Sequence, residues 1–214
     1  MNRLRHIVSL LFVLALAASC SDDDYHYPSV EKAFYTLHTD RTGSPETIET
    51  DDGLTHIVAD NTSGFTSSPD TTLRVVGYYE QIDGGVRIYS PSLTLSHAPV
   101  SASAYADSAS TSPVSLQSMW GGLKYLNIVL EVKNAGDRHK LLFLEDSVRH
   151  SADGDNVYLS IYHNAYNDPE AYISRAYMSL SVENYLRSAD KPLNVNVSFL
   201  NYDDVRETHS VSFR

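Results

Sequence analysis

Cysteine is the scarcest feature of this 214-residue sequence: Cys20 stands alone. With no second thiol there is no internal disulfide, so the fold must rest on its core. Positive charge is also sparse, with 16 Lys and Arg against 27 Asp and Glu and no basic cluster. That removes nucleic acid as a partner, because phosphate binding draws on clustered Lys and Arg. Helical periodicity is missing beyond the N-terminal apolar run, as no other window shows a convincing run of apolar residues at i, i+3, i+4 and i+7. Catalytic motifs are missing too: there is no Gly-x-Ser-x-Gly, no phosphate-binding glycine loop, no dinucleotide fingerprint and no His-Glu-x-x-His. The nine histidines include His139, His150, His163 and His209, each at least ten residues from the next, which is not a ligand spacing. The sequence therefore assigns no catalytic residue, no metal and no cofactor.

What is present begins at the N-terminus. Arg3 and Arg5 precede the apolar run IVSLLFVLALAA at 7–18, the layout of a secretory signal peptide over 1–19. Twelve helical residues reach roughly 18 Å, short of the roughly 30 Å hydrocarbon core of a bilayer. Leu16-Ala17-Ala18-Ser19-Cys20 resembles a bacterial lipobox, with alanine in place of leucine three positions before the cysteine. Cys20 is then the acylated residue, carrying diacylglycerol and a palmitate-type chain, and the membrane is a partner through it. The tether 20–29 opens with Ser21, Asp22, Asp23 and Asp24, which resemble the acidic export signal of surface lipoproteins of the Bacteroidota. A solvated linker is the other reading. The expected location is the outer membrane facing the exterior, with a periplasm-facing anchor as the alternative. Removal of the leader leaves 14 basic and 27 acidic residues on 195, a formal charge of −13 spread through turns, which favours solubility.

Period-two alternation dominates the rest and predicts an all-β protein. In the first half the pattern predicts strands at 30–39, 54–59, 73–81 and 86–95, separated by Thr42-Gly43-Ser44-Pro45, Asp51-Asp52-Gly53 and Asp83-Gly84-Gly85. The Ser/Ala-rich stretch 99–117 has no periodicity and reads as a linker between a first domain at 30–98 and a second at 118–214. The second half alternates cleanly: Leu126, Ile128, Leu130 and Val132 share a face, as do Val157, Leu159 and Ile161, then Ala176, Met178, Leu180 and Val182, then Val195, Val197 and Phe199. With 140–145 and 209–214 this makes six or seven strands, enough for an antiparallel, immunoglobulin-like sandwich of two sheets.

The run Ser118-Met119-Trp120-Gly121-Gly122-Leu123-Lys124-Tyr125-Leu126-Asn127-Ile128, followed by Val157-Tyr158-Leu159 and His163-Asn164-Ala165-Tyr166-Asn167-Asp168-Pro169, resembles the NigD-like family of secreted lipoproteins. The resemblance implies an N-terminal OB-like small barrel ahead of the C-terminal β-sandwich. It also implies an association with bacteriocin immunity or secretion through genomic context, which is no warrant for a reaction.

Four carboxylate pairs are candidates for hydrolytic chemistry: Asp51 with Asp52, Asp153 with Asp155, Asp168 with Glu170, and Asp203 with Asp204. All fall in predicted turns, where Asp bonds nearby backbone amides. The segment 162–172 is the candidate binding loop. Tyr162, Tyr166, His163, Asn164 and Asn167 offer ring faces, donors and acceptors suited to a sugar or a protein, while Asn167-Asp168-Pro169 equally reads as a plain turn. Trp120 reads as a plug of the core at the domain entrance, with ligand stacking as the rival reading. Asp70-Thr71-Thr72, Asp107-Ser108-Ala109 and Asp146-Ser147-Val148 resemble a short O-glycosylation sequon, making Thr71, Ser108 and Ser147 candidate modification sites. The expected function is a non-enzymatic surface lipoprotein with a binding or protective role and an unknown protein or glycan partner. The alternatives are a glycan-binding accessory, a glycan-processing enzyme or a structural subunit of a surface assembly.

Overall fold

The computed structural model describes residues 29–105, 111–186 and 191–214. Cys20, Ser21, Asp22, Asp23, Asp24 and Ser108 lie outside the described residues, so the anchor, the acidic run and one sequon do too. The described elements are strands, with one short 3-10 turn at Ala102–Tyr105.

In the first half, β1 (Glu31–Thr39), β2 (Pro45–Thr50), β3 (Thr55–Asn61), β4 (Thr72–Ile82) and β5 (Gly85–Leu93) close into a barrel in the order β1-β2-β3-β5-β4. The β3–β5 pair is parallel and the others antiparallel, the wiring of a five-stranded OB-like barrel. Its interior is filled by Tyr35, Leu37, Ile48, Val75, Tyr79, Val86 and Ile88. The strand pattern in the sequence omitted β2. PETIET opens on a proline, carries two glutamates and sends one large apolar side chain, Ile48, into the core, which leaves no alternation to detect.

The second half contains β6 (Val100–Ser101), β7 (Ser115–Gly121), β8 (Tyr125–Asn134), β9 (Lys140–His150), β10 (Asp155–Asn164), β11 (Tyr172–Ser181), β12 (Leu193–Leu200) and β13 (Arg206–Phe213). They form a five-stranded sheet, β13-β12-β10-β9-β6, over a three-stranded one, β11-β8-β7. The four apolar faces expected from alternation meet between the sheets, joined by Leu141, Phe143 and Phe213. Two pairs in the larger sheet, β10–β12 and β6–β9, run parallel, a detail that face patterning alone does not carry.

Part of the segment 99–117, expected as a linker, is built into the sandwich. Val100 and Ser101 pair with Leu144 and Glu145 of β9, Val114 is 1% exposed inside the core, and β7 starts at Ser115. Val100, Val114 and Leu116 are isolated apolar residues in a Ser/Ala background, too far apart to display a period. Candidate Ser147 lies within β9, and candidate Thr71 sits just before β4, its backbone carbonyl accepting from Thr39.

The three-stranded sheet packs on the sandwich core with one face and, over part of the other, against the barrel. Even-numbered residues of β8 and β11 face the sandwich core, while Val129 and Tyr177 pack against Phe34 and Val76 of the barrel. Beyond β5 the chain continues alongside β11, where the Leu95 amide donates to the Tyr177 carbonyl (2.9 Å) and the Ser179 amide to that of Leu95 (3.0 Å). The two domains therefore share backbone as well as side-chain contacts.

Candidate functional site

The seam between barrel and sandwich is organised by one cation. Arg74 occupies β4 between Leu73 and Val75, and its side chain is 4% exposed. Its Nη2 donates to Asp51 Oδ1 (2.5 Å) and Asn127 Oδ1 (3.1 Å), Nε to Ser179 Oγ (2.9 Å) and Nη1 to Thr36 Oγ1 (3.4 Å). Asn127 Nδ2 in turn donates to Asp51 Oδ2 (2.5 Å), and Ser179 Oγ to Asn127 Oδ1 (2.7 Å). The guanidinium carbon lies 3.9 Å from the Tyr125 ring centroid, a stacked cation–π geometry. Burial pulls Arg74 down from its ordinary value and Asp51 opposes that pull; an arginine stays charged throughout. Thr36, Asp51 and Arg74 come from the barrel, Tyr125, Asn127 and Ser179 from the sandwich, so the network closes only when both domains are in place.

Gly122 explains how the turn carrying Asp51 approaches so closely. A β-carbon there would lie 2.7 Å from Asp51 Cβ, and the Leu123 amide donates to the Asp51 carbonyl (2.7 Å). Asp51 is thus a structural anion. Its neighbour Asp52 accepts from the Leu54 amide (3.3 Å) and the Thr50 hydroxyl, as a turn residue does.

Beside this network two clefts open to solvent on either side of Trp120. One, of about 250 Å3, is lined by Lys32, Phe34, Gln117, Ser118, Arg175 and Tyr177 among others. The second, of about 310 Å3, is lined by Glu31, Asp51, Asp52 and Tyr79, with Lys32, Phe34 and Trp120 shared. Trp120 is 39% exposed and meets Phe34 edge to face, ring centroids 5.3 Å apart. It is not the core plug its position suggested: on β7 it points away from the sandwich interior, and the adjacent Gly121 and Gly122 are occupied by close approaches of Phe213 and Asp51. Lys32 Nζ donates to Tyr177 Oη (2.7 Å) over the faces of Tyr177 and Tyr78.

The 162–172 segment is split by the structure. Tyr162 and His163 are buried, Tyr162 against Tyr105. Asn164 caps the turn by accepting from the Tyr166 amide (2.8 Å), and Tyr166 and Asn167 adopt positive φ at the tip with the Asp168 amide returning to the Ala165 carbonyl. Tyr166 is exposed. His163 is committed internally: Nδ1 faces the Pro113 carbonyl (3.0 Å) and Nε2 faces His139 Nδ1 (2.9 Å). His139 Nε2 reaches Asp168 Oδ2 (3.1 Å), which also accepts from the amides of Ala135 (2.8 Å) and Asp137 (3.3 Å).

Both ends of this chain are acceptors, so its three hydrogen bonds need three protons on two imidazoles. Burial and the neighbouring His139 hold His163 below its ordinary value. Burial opposes the ionised Asp168, but the Ala135 amide, the His139 ring and the Asp137 amide outweigh it and hold the carboxyl below its usual value. The relay ties segment 111–113 and the turn at 165–168 to β10 and leaves neither ring a free nitrogen. Among the described residues no group of three or more His, Cys, Asp or Glu is arranged to hold a metal ion, and no helix is long and apolar enough to cross a membrane.

Arg74, Asn127, Ser179, Lys32 and Arg175 were not singled out by the sequence. The available signal was a charge inside the apolar run LRVV and polar residues on strands whose outer face also carries Val129.

The fold and seam define a two-domain all-β protein in which an OB-like barrel is docked on a β-sandwich. The family model for the NigD-like C-terminal beta sandwich domain matches residues 96–213, and the chain belongs to the NigD-like family. Among solved structures it is similar to a NigD-like immunity protein from Bacteroides caccae ATCC 43185, at 29% identity and TM-score 0.72, over 86% of this chain and 94% of that one. It also shares its fold with a protein of unknown function from Bacteroides vulgatus ATCC 8482, at 16% identity and TM-score 0.68, over 87% of this chain and 92% of that one. No curated protein matches the chain in sequence.

Proposed function

We propose that this is a non-catalytic lipoprotein, held in the outer membrane by acylated Cys20 and facing the exterior, that protects the cell by binding at the seam between its two domains. The observation that carries the reading is Trp120: a large aromatic left open between two clefts, on a seam whose floor is fixed by the Arg74 network. Rigid, partly exposed aromatics beside polar groups favour recognition. The protective role is supported by likeness to the NigD-like immunity protein of Bacteroides caccae, and the anchor by the lipobox-like residues before Cys20.

The test compares a gene deletion complemented with the native chain, Cys20→Ser or Trp120→Ala, challenged with bacteriocin-containing supernatants of neighbouring Bacteroidota strains. The native chain restores survival and the two variants do not. Equal survival of the uncomplemented deletion would discard the protective role. Full survival with Cys20→Ser would discard the anchor, and full survival with Trp120→Ala would discard the seam.

A further inference from the structure

We infer that the seam cleft is a subsite for a carboxylate-bearing carbohydrate, a ligand class that deepens the reading of the seam as a binding surface and rests on it. The first observation is charge. On a chain with 27 acidic and 16 basic residues, the smaller cleft carries Lys32 and Arg175. Among the described residues neither is ion-paired with a carboxylate. Lys32 spends one of its three donors on Tyr177 Oη. The guanidinium of Arg175 has no hydrogen-bond partner among the described residues, so its planar fork of five donors is open to a carboxylate. The carboxylates of the second cleft are already engaged: Glu31 accepts from Tyr79 Oη (2.9 Å), Asp51 belongs to the Arg74 network and Asp52 caps its turn.

The second observation is shape and chemistry. Trp120 and Tyr177 present ring surface, and Gln117 and Ser118 beside them on β7 present an amide and a hydroxyl. Ring faces meet the C–H faces of a sugar, the neutral polar groups meet its hydroxyls, and the two cations meet its acid group. The clefts share Trp120, Phe34 and Lys32, so a chain of several sugar units can straddle the indole with its acidic unit on the Arg175 side.

Trp120 is the chain's single tryptophan, so its emission reports on the site alone. The full chain in detergent is titrated with tetragalacturonate, sialyllactose, maltotetraose and tetraglutamate. At least one of the two acidic sugars is expected to shift the emission saturably, with Lys32→Ala and Arg175→Ala each raising the midpoint about tenfold or more, as loss of a charge-assisted bond would. Both are exposed residues outside the Arg74 network, and a matched circular dichroism melt confirms that each variant folds. The inference is overturned if maltotetraose titrates equally well, if tetraglutamate does, if both charge variants bind as the native chain does, or if neither acidic sugar shifts the emission. Absence of sugar binding with protection still lost in folded Trp120→Ala cells would remove the ligand class and leave the seam standing. Protection retained in those cells would remove both.

Discussion

Asn127 and Asp51 belong to different domains, yet Asn127 Nδ2 donates to Asp51 Oδ2 at 2.5 Å while both residues present an oxygen to the same Arg74 nitrogen. The interface between barrel and sandwich is thus a closed polar ring surrounded by Phe34, Val76, Val129 and Tyr177. Such a ring has little tolerance for the loss of one member, because the remaining groups stay buried and unpaired.

Arg74→Ala strands the Asp51 carboxylate and should cost about 3–5 kcal/mol of stability, the range for breaking a buried pair. In urea the native chain is expected to unfold in one transition and the variant in two, as the domains lose their common cation. A single, unshifted transition in the variant would remove Arg74 as the organiser of the seam.

Tyr35 fills the barrel at 0% exposure, and its hydroxyl has no hydrogen-bond partner among the described residues. Burial pushes its ionisation up, and the uncharged hydroxyl still carries a desolvation cost. Tyr35→Phe removes the group without changing the ring, so it should leave stability unchanged or raise it by about 1 kcal/mol. A thermal melt several degrees below native would show that the hydroxyl has a role in the barrel.

Acid should loosen the sandwich in two steps. A further proton on His163 would set two N–H groups of the histidine pair against each other, so the folded chain takes it up less readily than the unfolded one. More protons bound in the unfolded state means stability falls as pH falls, first below the ordinary histidine value of 6.5 and again below the ordinary aspartate value of 3.8 as unfolded Asp168 protonates. Urea midpoints measured from pH 7 downward should drop across the first window in the native chain and stay flat there in His163→Gln. An equal drop in both would take His163 out of the account.

Gly122→Ala places a β-carbon 2.7 Å from Asp51 Cβ, backbone-proximal on both sides, and should cost about 1–3 kcal/mol as an overpacked contact. Gly84→Ala, by contrast, meets no atom within 4 Å and carries only the strain of its positive φ. Paired melts of the two variants separate crowding from backbone strain, and a Gly122→Ala chain as stable as native would mean that Asp51 can withdraw from the seam.

Much of the fold was readable from alternation. Leu126, Ile128, Leu130 and Val132, and likewise Val195, Val197 and Phe199, lie in the core as their spacing requires, since a strand that buries one face writes that face into every second residue. The same rule hides Val129, Asn127 and Ser179, because alternation names an outer face without saying what lies on it. Trp120 is hard to place for that reason: a lone tryptophan beside two glycines looks like filler until the approach of Phe213 and Asp51 shows that the glycines serve other contacts. His163 stands out as chemistry, but its partner His139 lies 24 positions away and the Asp168 that His139 reaches in turn lies 5 away, a juxtaposition set by the β9–β10 pairing and the turn at 165–168.

The middle sheet has its outer face partly roofed by the barrel, and this separates the unit of descent from the unit of folding. The stretch that carries the family signature, 96–213, ends at a boundary where Asn127, Val129 and Ser179 are sealed by residues encoded before it. Expressed alone it would present that inner layer to water, so a truncation drawn at the signature's edge yields half of an interface, and the barrel belongs to the same cooperative body as the sandwich it covers.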